Sequence, residues 1–116
     1  MPDLTTAQKV LATAMKESEL QDAILELAER LGWYVHAERP ARTIQGWRTP
    51  IQGKPGYPDL TLCRLGTILW IECKSERGRL TEEQNSWLSD LNANKTCAHW
   101  FRPSAWLSGE IERLLL

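Results

Sequence analysis

Apolar residues recur along this chain with two different periods, and the switches between them mark out its elements. Between Thr5 and Lys16, the residues Val10, Leu11, Ala14 and Met15 form a band at helical spacing. Thr5 with Gln8 three residues on has the form of a capping box, so an N-terminal helix is expected. Ser18 and Gln21 repeat the box, and Leu20, Ile24, Leu27 and Leu31 follow at i, i+4, i+7 and i+11 until Gly32 stops the pattern. That predicts a second amphipathic helix over about 18 to 31, either separate from the first or running on from it. Trp33-Tyr34-Val35-His36 is aromatic and β-branched, which suits a strand. Two further apolar runs, Asp59 to Leu65 and Thr67 to Lys74, flank Gly66 as the arms of a hairpin. Thr81 and Gln84 make another capping box, opening a helix whose stripe is Trp87, Leu88 and Leu91 and which fades at Asn92-Ala93-Asn94. Cys97 to Phe101 reads as a strand, and Pro103 and Ser104 open a last helix through Trp106, Leu107, Ile111 and Leu114. The order predicts an α/β fold in one domain, a mixed sheet with helices on its faces.

Composition narrows the function. With 42% hydrophobic and 25% charged residues the balance is globular, which excludes disorder, collagen-like repeats and coiled coil. A chain of 116 residues has room for one core, so large multi-domain machines are excluded too. The formal net charge is -1, so an anionic partner must be met locally rather than by a general positive field. The apolar runs fall far below the roughly 18 consecutive residues of a membrane span. The polar start Met1-Pro2-Asp3 does not resemble a signal peptide, and a soluble cytoplasmic protein is expected. Cys63, Cys73 and Cys97 are odd in number and lack C-x-x-C spacing, which suits buried thiols better than disulfides or zinc. His36 and His99 are the only histidines, so carboxylates must carry any chemistry.

One stretch stands apart. From His36 to Tyr57 the chain has Pro40, Pro50 and Pro55 with Gly46, Gly53 and Gly56, and its cations Arg39, Arg42, Arg48 and Lys54 face Glu38 alone. This is a basic arm or long loop over 36–57, and loops of that length in compact domains are usually functional.

The sharpest constellation is Asp59, Glu72 and Lys74. If the hairpin turns about Leu65-Gly66, Arg64 pairs with Thr67 and, counting back, Asp59 lies opposite Glu72. Directly opposed residues share a face with Cβ atoms roughly 4.5–5.5 Å apart. Two carboxylates so placed repel unless a cation sits between them. Lys74, two residues beyond Glu72, projects from the same face, while Ile71 and Cys73 point to the other. A divalent ion on Asp59 and Glu72 with a lysine beside it is suited to attack on a phosphodiester. Mg²⁺ takes one or two carboxylates, then waters and phosphate oxygens.

At these residues the chain resembles the PD-(D/E)XK nuclease superfamily, and within it the virus-type replication-repair nuclease (VRR-NUC) family. The likeness lies in Gly56-Tyr57-Pro58-Asp59-Leu60, Glu72-Cys73-Lys74 and Gly78-Arg79-Leu80-Thr81-Glu82-Glu83-Gln84-Asn85-Ser86-Trp87, preceded by Glu19 on a helix that ends at Leu31-Gly32-Trp33. It runs from about residue 18 to the end. The resemblance implies a restriction-endonuclease-like αβββαβ core, with extra helices at both ends. It implies a Mg²⁺- or Mn²⁺-dependent DNA endonuclease, with Asp59 and Glu72 as metal ligands and Lys74 as the catalytic lysine. Glu19 matches a first-helix acid that assists metal binding, and Gln84 matches a catalytic-site glutamine. Small stand-alone members look like Holliday-junction resolvases, which act as homodimers on branched DNA.

Each residue also has an ordinary explanation. Asp59 and Lys74 could form a strand-end salt bridge, but Glu72, inside the apolar run Ile68 to Cys73, is where an unpaired charge is rarely left. Glu19 in a first helical turn is favoured by the helix dipole alone. Gln84 has a capping role that competes with an active-site role for one rotamer. In the arm, Trp47 and Tyr57 offer stacking faces among the cations Arg39, Arg42, Arg48 and Lys54, with Arg77 and Arg79 extending the same surface toward DNA. Trp33, Trp70, Trp87, Trp100 and Trp106 sit on apolar patterns and are expected in the core. No base-reading motif is visible, so DNA shape is the expected target. The alternatives are a less selective nicking or restriction-like nuclease and a non-catalytic DNA-binding module on the same fold. Residues 1–17 lie outside the resemblance; their apolar band could pack on the core or form a dimer seam.

Overall fold

The computed structural model describes residues 3–38, 41–43, 46–48 and 52–116, the two short stretches by backbone alone. Helix α1 spans Thr6–Ala14 and is closed by the expected box: the Gln8 amide donates to Thr5 Oγ1 (3.1 Å) and the Thr5 amide to Gln8 Oε1 (2.9 Å). Met15 and Lys16 are extended, so α2 (Glu17–Arg30) is a separate helix. It begins one residue earlier than the pattern predicts. The Glu19 carboxylate accepts the Lys16 amide (3.0 Å), and this contact opens the helix in place of the expected pair Ser18 and Gln21.

Strand β1 (Tyr34–Ala37) leads into the arm, which is not all loop: β2 (Ala41–Thr43) and β3 (Gly46–Arg48) pair as a small antiparallel hairpin. Strands β4 (Leu60–Arg64) and β5 (Thr67–Cys73) form the second hairpin. Its turn places Leu65 at φ 49° and Gly66 at φ 83°, the two positive values that a tight two-residue turn of this hand demands. Helix α3 (Glu82–Leu91), strand β6 (Ala98–Phe101) and helices α4 (Pro103–Leu107) and α5 (Glu110–Leu115) complete the chain. The expected last helix is thus two, because Gly109 at φ 84° breaks the helical path between them.

The main sheet has the order β1-β4-β5-β6, antiparallel except for β6, which runs parallel to β5. The result is an α/β fold with a four-stranded mixed sheet flanked by helices. Alternation along the strands sends Leu60, Leu62, Leu69, Ile71 and Cys73 to one face, where they pack with Leu20, Ile24 and Ala28 of α2 and with Ile111 and Leu115 of α5. Trp33 closes this core, its indole N–H donating to the Leu115 carbonyl (3.0 Å) beneath the Arg64 guanidinium, 4.3 Å from the ring centre.

Several core expectations change. Of the five tryptophans expected in the core only Trp33 is buried; Trp70, Trp87 and Trp106 are half-buried, and Trp100, on the edge strand β6, is 37% exposed under the Arg102 guanidinium. Cys73 is buried, but Cys63 and Cys97 are half-buried; all three thiols are free. In α1 the buried residue is Ala12, while Val10 and Leu11 are 65% and 58% exposed. The helix meets α4 with a face adjacent to the predicted band, and Met15 alone of that band packs on the core. Among the described residues no helix is long and apolar enough to cross a membrane.

Candidate active site

The β4–β5 register pairs Leu60 with Ile71, so Asp59, one residue before β4, comes beside the end of β5 as the hairpin arithmetic predicts. Its Oδ2 accepts the Cys73 backbone N–H at 2.8 Å, fixing the carboxylate against the strand, while its carbonyl accepts the Glu38 amide (3.2 Å). Glu72 is only 2% exposed, although it carries a carboxylate. Its Oε2 lies 3.7 Å from Lys74 Nζ and accepts from Gln84 Nε2 at 3.3 Å. Its Oε1 is buried with no hydrogen-bond partner among the described residues.

That environment has an electrostatic cost. Burial first, and then the negative charge of Asp59, push the Glu72 carboxyl from 4.5 up to about 8, against the opposing pull of Lys74. Lys74 is itself buried, 8% exposed, and its backbone amide donates to the Phe101 carbonyl (2.9 Å), so the chain cannot swing it away. Cys73, between the two, faces the core. Burial, followed by the negative charges of Asp59, Glu72 and Glu17, drives its thiol far upward, which removes it as a nucleophile.

Gln84 fills both roles that the sequence set in competition. Its Oε1 accepts the Thr81 amide (3.0 Å) to close the capping box, while its Nε2 reaches Glu72 from the same rotamer. The approach of the arm to α3 depends on Gly56. A Cβ there, at φ 98°, would lie 2.6 Å from the Glu83 carbonyl carbon and 2.8 Å from the Gln84 nitrogen. Just beyond, Tyr57 is half-buried, its hydroxyl bonded to Thr61 Oγ1 (2.9 Å) and to the Trp70 indole N–H (2.8 Å). Its ring meets Trp87 edge-on at 5.1 Å, and the Trp87 indole donates to the Pro55 carbonyl (3.1 Å). Tyr57 therefore ties the arm to the sheet instead of presenting a free stacking face.

The first-helix acid is placed differently from the expectation. Glu19 is exposed and occupied in capping Lys16; Glu17, two residues earlier and also exposed, contributes the smallest of the negative charges acting on Glu72 and Cys73. Four residues on from Glu17, Gln21 has a buried Nε2 without a hydrogen-bond partner among the described residues. The signal for both was their i, i+4 spacing above the buried positions Ile24 and Ala28. Lys54, Arg77 and Arg79 are exposed. The loop carrying the last two is held where the Gly78 carbonyl accepts from Arg102 Nη2 (3.0 Å). Arg39 lies outside the described residues, as do the side chains of Arg42, Trp47 and Arg48, whose backbones form β2 and β3.

No family model, curated protein or solved structure matches this chain. The chemistry therefore rests on the donor set. Among the described residues no group of three His, Cys, Asp or Glu side chains is gathered for a metal ion; the Asp59–Glu72 pair supplies two carboxylates. A buried carboxylate oxygen without a partner, next to a second carboxylate, fits a hard cation that takes the rest of its shell from water and phosphate. In the absence of a cation, burial and the neighbouring Asp59 keep the proton on Glu72 to higher pH than usual.

Proposed function

We propose that this protein is a divalent-metal-dependent DNA endonuclease of the PD-(D/E)XK type, selective for branched DNA. The observation that carries this reading is Glu72: a carboxylate buried at a strand end, one oxygen unpartnered, with Asp59 beside it and Lys74 at 3.7 Å. A fold keeps such a desolvated pair of acids only at a cost, and a ligand that offsets the cost is the economical explanation. Asp59 and Glu72 would hold the Mg²⁺ or Mn²⁺; bound there, the ion supplies Lewis acidity toward a phosphate oxygen and a water.

The chain's own groups do the rest. The Cys73 amide fixes Asp59, and Gln84 fixes Glu72, so neither carboxylate must be ordered when substrate arrives. Lys74, buried and held by its neighbours, offers a fixed positive charge and three donors to the oxygens on which negative charge grows during attack. Exposed Lys54, Arg77 and Arg79, with the arm's Arg39, Arg42 and Arg48, supply backbone contacts that locate the strand without reading its sequence. The resemblance to the VRR-NUC family and the order of α2, β1, β4, β5, α3 and β6 support the same reading. A homodimer would bring two such sites to the two strands of a junction.

The test is cleavage of a labelled four-way junction and its matched linear duplex, with Mg²⁺, Mn²⁺ or EDTA, by the parent and by Lys74→Ala. Metal-dependent cutting of the junction, lost in the variant, is expected. Equal rates on both substrates would reduce the activity to a general nicking nuclease. Binding without cleavage under either ion would leave a DNA-binding module.

A further inference from the structure

Between the end of the arm and α3 lies a cavity of about 530 Å³. That is the size range of small-molecule sites. Its walls are apolar where they are broadest: Trp87 and Leu91 from the helix and Pro55 from the arm. Its polar atoms come from Glu83, Ser86 and Asp90, with Lys54 at the rim. Glu83, Trp87 and Asp90 fall at i, i+4 and i+7, so a single helix face sets an aromatic ring between two carboxylates. The Trp87 indole N–H is already spent on the Pro55 carbonyl, which fixes the ring as a wall and leaves stacking as its role.

We infer that this cavity receives a single unpaired nucleobase, and that it prefers a base carrying an exocyclic amino group. The inference rests on the nuclease reading for its substrate class. An apolar slot with one aromatic wall suits the π-face of a base and not a sugar or phosphate. Carboxylates accept hydrogen bonds and do not donate them, so Glu83 and Asp90 match the amino group of cytosine, adenine or guanine and oppose the O4 carbonyl of thymine. Lys54, exposed and also lining the cavity, supplies a cation for the nucleotide's phosphate. Trp87 is three residues along α3 from Gln84, the residue bonded to Glu72, a rise of about 4.5 Å. The helix that carries Gln84 to Glu72 therefore also carries the cavity wall, so a base held there lies on the same element as the proposed site. The cavity thereby gives a structural reason to favour distorted DNA, where a base that is mismatched or next to a break in stacking costs less to extrude than one inside a regular duplex.

The experiment uses the full chain in EDTA, where no cleavage interferes, and follows the Trp87 indole N–H by ¹H–¹⁵N NMR during titration with dCMP, dTMP and deoxyribose 5-phosphate. The expected result is movement of that resonance with dCMP, at least about fivefold tighter than with dTMP, and none with the sugar phosphate. Ser86→Phe, at an exposed helix position, fills the cavity and abolishes the response while the rest of the spectrum is retained. Asp90→Asn, whose amide both donates and accepts, narrows the preference. Equal affinity for dCMP and dTMP, a Trp87 resonance that does not move, or full binding in Ser86→Phe would overturn the inference. Nucleotide binding in a protein that cuts no DNA would instead remove the nuclease reading and leave the cavity assignment standing.

Discussion

Replacing Glu72 by glutamine separates the cost of the buried carboxyl from everything else in the site. The amide keeps the shape and still accepts from Gln84, but it has no charge to desolvate. In the cation-free protein the folded-state carboxyl titrates at about 8 against 4.5 for the ordinary group. The folded state therefore holds its proton where the unfolded state has already released it, and stability falls as pH rises from about 4.5 through about 8. At about 1.36 kcal/mol per pH unit, the full separation sets a ceiling of about 5 kcal/mol. Movement of the chain around an ionised Glu72 lowers the expected loss to about 2–4 kcal/mol between pH 5 and pH 9. Urea unfolding of parent and Glu72→Gln across that range in EDTA reads the effect, and the difference between the two profiles cancels the other titrating groups. The variant is expected to overtake the parent above neutral pH, and Mg²⁺ at pH 8 to restore the parent alone. Parallel profiles, or equal stabilisation of both proteins by Mg²⁺, would refute the argument that Glu72 is an uncompensated acid awaiting a cation.

Three further substitutions test the supports. Gln84→Glu keeps the capping acceptor but replaces the donor to Glu72 by a like charge, so urea unfolding in EDTA should show a loss of about 1–3 kcal/mol and junction cleavage should fall at least about tenfold. Gly56→Ala forces a Cβ into the α3 backbone at a positive φ and should cost about 1–3 kcal/mol, read by urea unfolding, with faster proteolysis of the arm. Gln21→Leu removes a buried donor that has no partner among the described residues, and thermal unfolding should show a gain of about 1 kcal/mol.

What the sequence revealed was local. The Leu65-Gly66 turn fixes the β4–β5 register within a few residues of itself, and the register then carries Asp59 to Glu72 with no long-range information. The boxes Thr5/Gln8 and Thr81/Gln84 also form as written, each closing within one turn. What was hidden depends on partners far along the chain. Which face of α1 is inward is decided by α4, nearly the whole chain away, so Val10 and Leu11 follow the helical period yet face outward. Glu19 stands out through the family resemblance, while its place in a first helical turn already offers an ordinary explanation. Once Lys16 takes the cap position, Glu19 is used in closing the helix.

Gln84 shows how a local rule and a tertiary one can be met together. At the third helical position glutamate and glutamine close a capping box equally well, because each needs only one side-chain oxygen to accept the cap amide. They differ at the other terminal atom. The second oxygen of a glutamate would meet Glu72 as a like charge, whereas the amide nitrogen of glutamine donates to it at 3.3 Å while the oxygen still caps Thr81. The capping role and the site role are thus two ends of one planar group, and they exclude each other only if the side chain is treated as a single point. The Thr5/Gln8 box of α1 also has glutamine at this position with only the cap to serve, so the residue type alone does not reveal the second role; it becomes visible only once the sheet brings Glu72 within reach of Gln84 Nε2.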